Sequence, residues 1–254
     1  ISPVITDKTA TRGEAANLSA RNCYNGNVFI KKKKTHAMTT IRQTPQTSSA
    51  TLEGLLAWFD GYVAALPDSD KNLIQTAFDL SKEHYPADAL TTYGEPLMEH
   101  FLGSMQIVSE LDLLPDAVAA TILSDIGKYV PTWRELVTER CNSTVCELVK
   151  GVDEVQKLTQ FARVDSLATP EERSQQAETM RKMLLAMVTD IRVVLIKLAM
   201  RTRTLQFLSN VPDNPEKRAV AKETLDIFAP LANRLGVWQL KWQLEDLGFR
   251  HQEP

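Results

Sequence analysis

An all-α fold is predicted for this 254-residue chain by three observations. From Thr51 onward the apolar residues recur at the three- and four-residue spacing of a helix face. Helix start signals, Thr-x-x-Glu strings and prolines among short polar residues, divide that stretch at intervals. Neither strand-like alternation nor a repeat of about 20–50 residues interrupts it. The organising stretch is Gln176–Leu208, where Met180, Met183, Leu184, Met187, Ile191, Val194, Leu195 and Leu198 mark one face. It reads as a single helix, opened by Thr169 as N-cap, Pro170 in the first helical position and Glu172 completing a capping box. About 33 to 40 residues at 1.5 Å each span some 50 to 60 Å. The expected architecture is a multi-helix bundle around one long central helix.

Residues 1–50 differ from the rest: Thr, Ser, Asn and Gly are frequent, apolar periodicity is missing and a Lys31–Lys34 run intervenes. They read as a flexible tail, with Met38 a candidate native start and 1–37 an upstream or artificial extension. Leu52, Leu55, Leu56, Phe59, Tyr62 and Val63 then form one helical stripe. A second (Leu73, Ala77, Phe78, Leu80) follows the start signal Pro67-Asp68-Ser69-Asp70. Tyr93-Gly94-Glu95-Pro96 is a turn into a third helix near 97–110, and Leu114-Pro115-Asp116 opens a fourth near 116–126. Thr132 to Glu135 and Thr144 to Glu147 are capping boxes for helices near 133–140 and 145–160. A linker over 162–169 leads to the long helix. Beyond it Asn214-Pro215 starts a helix carrying Leu225, Ile227, Phe228, Leu231 and Leu235, Gly236 breaks the pattern, and Trp238–Leu247 is a short amphipathic close.

Composition narrows the function. With 43% hydrophobic residues the chain can bury a substantial core. Its 29 basic and 32 acidic residues give net −3, so no global basic field recruits nucleic acid, and four tail lysines are ordinarily just solvated. No apolar run is long enough to span a membrane and no secretory signal is present, which leads us to expect no membrane partner and a cytoplasmic location. Cys23, Cys141 and Cys146 are too few for a disulfide framework, and no histidine completes a zinc pattern around the last two.

Four strings together carry a resemblance: GEPLMEH (94–100), QAETMRKMLLAMVTDIRVVLIKLA (176–199), ETLDIFAPLANRLG (223–236) and QLKWQLEDLGFRHQEP (239–254). In this order they are similar to the N-terminal half of the RelA/SpoT family, the long enzymes that make and degrade the alarmones pppGpp and ppGpp. The resemblance implies a helical HD-type domain over 51–210, followed by a segment, 211–254, leading toward a synthetase domain beyond the chain. In active members the HD domain is a manganese-dependent hydrolase that removes the 3′-pyrophosphate. A hard divalent ion there neutralises phosphate oxygens and lowers the pKa of a bound water.

Carrying the family's ligands onto this sequence gives a degenerate set. The histidine after GEP falls on His100, with Phe101 in place of the usual proline; the His-Asp pair falls on Ser124 and Asp125. The Glu-Asp-Thr string falls on Lys128, Tyr129 and Val130, and the aspartate of LADR falls on Met200. The family's basic stretch before GEP reads Leu90-Thr91-Thr92-Tyr93, and the His-Asn-Met string reads Arg203-Thr204-Leu205. Only His100 and Asp125 survive of four ligands, so the resemblance implies that the Mn²⁺ site is lost, that no cofactor is bound and that no residue is catalytic. Met200 is expected in a packed core, His100 as a hydrogen-bonded relic, Asp125 paired with Lys128, and Glu95 serving the helix dipole alone. The implied function is a silent regulatory domain of a RelA-type GTP pyrophosphokinase of the stringent response, its partner the adjoining synthetase domain. A sensor that weakly binds a guanine nucleotide, and a residual metal-dependent hydrolase, are the rival readings.

Overall fold

The first helix begins where the helical pattern starts: the Thr51 hydroxyl accepts the Gly54 N–H at 3.3 Å as its cap, and α1 (Leu52–Ala64) buries Leu55, Phe59 and Val63. The computed structural model describes residues 51–161, 169–187 and 189–252. The expected tail with Met38, Cys23 and the lysine run, and the linker before Thr169, lie outside the described residues. Every regular element within them is helical. After α1 come α2 (Asp68–His84), α3 (Leu97–Glu110) and α4 (Pro115–Ile122), then a single 3₁₀ turn at Ile126–Lys128. α5 (Trp133–Arg140) and α6 (Ser143–Phe161) follow.

The two internal capping boxes are corrected. Thr132 makes no side-chain cap bond. At the next helix it is Asn142, not Thr144, whose Oδ1 accepts the Val145 N–H at 2.8 Å; a second bond from its amide to Asp116 (2.9 Å) fixes it in place. The box at Thr169 forms as expected: Glu172 accepts the Thr169 N–H at 2.8 Å and donates its own to the Thr169 hydroxyl at 3.3 Å.

The long helix is two helices, α7 (Pro170–Met187) and α8 (Ile191–Leu208). Asp190 separates them as the N-cap of α8, accepting the Arg192 N–H at 2.9 Å and gripping the Arg192 guanidinium. Burial pushes the Asp190 carboxyl up, but the Arg192 hydrogen bonds outweigh it and leave its pKa below the usual range. Apolar spacing runs through the junction unbroken, and a short polar side chain able to satisfy orphan N–H groups decides against continuity.

α8 is the central element, packing against α3, α4 and α6 and, at its C-terminal end, against the last helix. Its Val193 meets α6 so closely that a Cβ on Gly151 would lie 2.7 Å from a Val193 methyl. The chain continues through α9 (Pro215–Glu223), a π turn at Thr224–Phe228, α10 (Ala229–Arg234) and α11 (Trp238–Gln252). Asn214 caps α9, with the Lys217 N–H 2.7 Å from its Oδ1. Pro230 cannot donate to the carbonyls one turn back, and the Arg181 guanidinium of α7 donates to the Asp226 carbonyl instead. Gly236 stands at φ 72°, the left-handed region expected after a helix C-terminus.

α11 runs five residues past the predicted Leu247 and is latched to α8 by His251. The imidazole Nε2 lies 2.9 Å from the Leu205 carbonyl and 3.4 Å from the Ser209 hydroxyl. Burial lowers its pKa, the Leu205 carbonyl opposes the shift, and Lys217 and Arg250 reinforce it. The folded chain therefore resists protonation while the unfolded chain accepts it near pH 6.5. Above that pH the imidazole is neutral in both states; as pH falls below it, stability is lost until the folded pKa is passed. Urea unfolding at pH 7.5 and 5.5 is expected to show a larger loss on acidification for wild type than for His251→Gln. No helix among the described residues is long and apolar enough to cross a membrane.

Candidate functional site

The site starts from a tight turn. Backbone bonds from Thr91 N to Glu95 O (2.8 Å), Gly94 N to Thr91 O (3.0 Å) and Leu97 N to Ala89 O (2.8 Å) close the segment before α3. Gly94 takes φ 85°, where a Cβ would strain the backbone. The turn sets Leu90, Thr91, Thr92 and Tyr93 along the mouth of a cleft and points Glu95 inward.

Glu95 corrects the helix-dipole expectation. Its carboxylate is only 1% exposed and holds two side chains, with Oε2 2.8 Å from His100 Nδ1 on α3 and Oε1 2.6 Å from Arg203 Nε on α8. Arg203 crosses α3 at Gly103, where a Cβ would lie 2.7 Å from its Cδ and Nε. A carboxylate at Nδ1 places the ring proton there and leaves Nε2 as the atom His100 can offer the cleft. His100 is hydrogen-bonded, as expected, as part of a buried network with Glu95 and Arg203. Phe101 is fully buried beside it, 5.6 Å from the Tyr85 ring.

The end of α4 supplies the second wall. Ser124 is buried and its hydroxyl turns back to the Ala120 carbonyl at 2.9 Å, so it does not line the cleft. Asp125 does, and Lys128 Nζ lies 2.7 Å from its Oδ2, the pair expected from their spacing. Tyr129 stands at the rim with its ring 5.3 Å from that of Tyr85, whose hydroxyl donates to the Ile122 carbonyl at 2.7 Å. Burial, and behind it the Asp125 charge, hold the Tyr85 hydroxyl well above its ordinary pKa.

α8 makes the floor with Lys197, Met200, Arg201 and Thr204, residues one turn apart or adjacent on one face. Lys197 donates to Gln156 Oε1 of α6 at 3.1 Å. Arg201 pairs with Glu223 at 2.9 Å and lies 4.3 Å above the Phe228 ring. These walls enclose about 540 Å³. Met200 is buried in the hydrophobic core, as expected, and it also borders this cleft, a space the packed-core reading of the site did not anticipate. The helix spacing is set by the core on the far faces, and the unbranched Met200, with Phe228 held under Arg201, does not fill the gap.

Of the sequence-named positions, the cleft brings together Leu90 to Tyr93, His100, Asp125, Lys128, Tyr129, Met200 and Thr204, and leaves out Phe101, Ser124, Val130, Arg203 and Leu205. Gln156, Thr159, Lys197, Arg201 and Glu223 were not named from sequence, and Phe228 was named only as an apolar helix residue. Lys197 and Arg201 flank Met200 in the LIKLAMR string, and Glu223 opens ETLDIF, so helical spacing from Met200 could have found the first two. Nothing in the sequence marks Gln156 or Thr159.

The donors the cleft offers a divalent ion are one imidazole, His100, and two carboxylates, Asp125 and Glu223, each already paired with a cation. That set is a poor fit for an ion needing several oxygen or nitrogen ligands, and among the described residues no three His, Cys, Asp or Glu side chains converge as a metal site. The thiols offer no alternative. Cys141 and Cys146 are both free, and burial pushes Cys141 up to about 11.

A family model described as HD domain matches residues 77–238, which contain every cleft-lining residue. The GTP pyrophosphokinase of Myxococcus xanthus is 40% identical over 188 residues, 74% of this chain and 24% of that protein. The guanosine-3′,5′-bis(diphosphate) 3′-pyrophosphohydrolase of Haemophilus influenzae is 41% identical over 162 residues, 63% of this chain and 22% of that protein. The bifunctional (p)ppGpp synthase/hydrolase SpoT of Escherichia coli K12 is 34% identical over 190 residues, 74% of this chain and 25% of that protein. The chain spans about a quarter of the length of these curated relatives. It belongs to the HD-domain family, in the RelA/SpoT group whose members carry both synthetase and hydrolase names.

Proposed function

We propose that residues 51–210 form a catalytically silent (p)ppGpp hydrolase-like domain that regulates a RelA-type (p)ppGpp synthetase of the stringent response. The parent protein is then a GTP pyrophosphokinase whose catalytic domain follows residue 254, with 211–254 as the connecting segment. One observation carries the reading: at the positions where related hydrolases hold manganese, Met200 borders the cleft and Asp125 is engaged by Lys128. A water bound there would have no divalent charge to lower its pKa and no free carboxylate to take its proton. The helical scaffold, the inward Glu95 and the cleft itself are well formed without such chemistry, which supports a domain used for its shape and contacts. Incubation of the chain with ppGpp and Mn²⁺ tests this. No release of pyrophosphate above buffer is expected; turnover that disappears in His100→Ala would overturn the reading.

A second reading, a domain that holds a guanine nucleotide without cleaving it, is favoured by the volume of the cleft and by the aromatic rings of Tyr93 and Tyr129 along it. Such rings stack on bases irrespective of any metal.

A further inference from the structure

Two side chains of the cleft hold Arg201, and both come from one stretch of chain. Glu223 pairs with it at 2.9 Å, and the guanidinium carbon lies 4.3 Å from the centre of the Phe228 ring. On a regular α-helix, residues five apart point about 140° away from each other. Glu223 and Phe228 share a wall because the chain between them is the π turn, closed by the Ala229 N–H on the Thr224 carbonyl five residues back. That turn has a visible cause. Pro230 has no N–H to offer the Asp226 carbonyl, and the donor in its place is Arg181 of α7, a helix that lines no part of the cleft among the described residues. Glu178 aims Arg181, accepting from its Nε at 2.9 Å and its Nη2 at 2.7 Å and leaving Nη1 for the carbonyl. α11 meets the same turn at Gly248, where a Cβ would lie 2.9 Å from Leu225, so close packing fixes one contact of the turn and a hydrogen bond the other.

We propose that Arg181 is a positioning residue for the cleft: from α7 it holds the π turn, and the turn aims Glu223 and Phe228 onto Arg201. A part-buried carbonyl without a donor is costly. When Arg181 is withdrawn, the turn swings that carbonyl to water or rewinds, and either motion carries Glu223 and Phe228 apart. Arg201 has little else to keep it in place, since its Nη1 is buried without a hydrogen-bond partner among the described residues. The break at Asp190 separates α7 from α8, so α7 can shift against the turn while α8 stays in the core. α7 is thereby the element through which a contact made outside the cleft alters its wall. This link concerns the geometry of the wall and holds whether or not the domain is silent.

Magnetic resonance of the 254-residue chain tests this through the Arg201 Nε–H signal, which the Phe228 ring shifts and which is assigned by its absence in Arg201→Lys. Phe228→Leu gives the position of the signal without the ring. In Arg181→Met the signal is expected to move most of the way to that position, and the Ala229 amide to exchange roughly tenfold faster or more. The amide of Met105, in the middle of α3, should exchange as in wild type, which separates release of the turn from general unfolding. Arg181→Lys keeps a donor and should restore most of the shift. Pro230→Ala supplies the missing N–H, so on that background Arg181→Met should move the Arg201 signal no further. An unmoved signal in Arg181→Met, or the same displacement with and without Pro230, would overturn the proposal. Neither outcome depends on turnover of ppGpp, which bears on the silent-domain reading instead.

Discussion

Replacing Glu95 by alanine is expected to destabilise the chain by about 3–5 kcal/mol, because it strands the Arg203 guanidinium between α3 and α8 with no counter-charge. For a chain of this size that is a fall in melting temperature of roughly 6–20 °C. The size of the effect follows from burial: the carboxylate is nearly inaccessible, and the Arg203 side chain is 12% exposed. A solvent-exposed pair such as Lys150–Glu147 should cost well under 1 kcal/mol when broken. The network also predicts non-additivity. Arg203→Met removes the stranded cation, so Glu95→Leu combined with Arg203→Met should destabilise less than the sum of the single changes. Thermal melts of the four proteins check this, and additivity would mean that the two side chains do not act as a unit.

Phe101→Ala is the second large effect, at about 3–5 kcal/mol. Phe101 is fully inaccessible, and its ring meets Tyr85 at 5.6 Å and the edge of His100 at 5.6 Å. Tyr85 is held on its other side by the Ile122 carbonyl, so the pocket cannot collapse to fill the cavity. Chemical denaturation should show a lower midpoint with an unchanged slope, since the surface exposed on unfolding is nearly the same. A loss below about 1 kcal/mol would mean that the surroundings relax into the space.

Much of this fold was legible because periodicity and caps report on local physics. The stripes over α1 and α2 and the caps at Thr169 and Asn214 stand where spacing and side-chain chemistry put them, whereas α4 stops at Ile122, short of the expected 126. What misled was competition between equally plausible local signals. At Asp190 an N-cap overrode a continuous apolar face, and at α6 Asn142 outcompeted Thr144 because Asp116, distant in sequence, steadied its amide. The π turn at Thr224–Phe228 had no signal beyond Pro230, one turn on.

The cleft divided along the same line. His100, Asp125, Lys128, Tyr129 and Met200 converge, since each was placed through a string that keeps its position on the fold. The inward aim of Glu95 was not legible, because it depends on Gly103 giving Arg203 room to cross a neighbouring helix. Nor was the openness of the cleft: whether a methionine at position 200 packs into a filled core or borders a space is decided by helix spacing, which residue identities at the site do not encode.

The central claim is that the cleft cannot hold the family's divalent ion, and manganese binding itself tests it most directly. Titrating Mn²⁺ into the chain at neutral pH while following the free-ion paramagnetic resonance signal should leave that signal at its buffer value up to millimolar protein. A stoichiometric loss of signal, reversed by His100→Ala, would contradict the account.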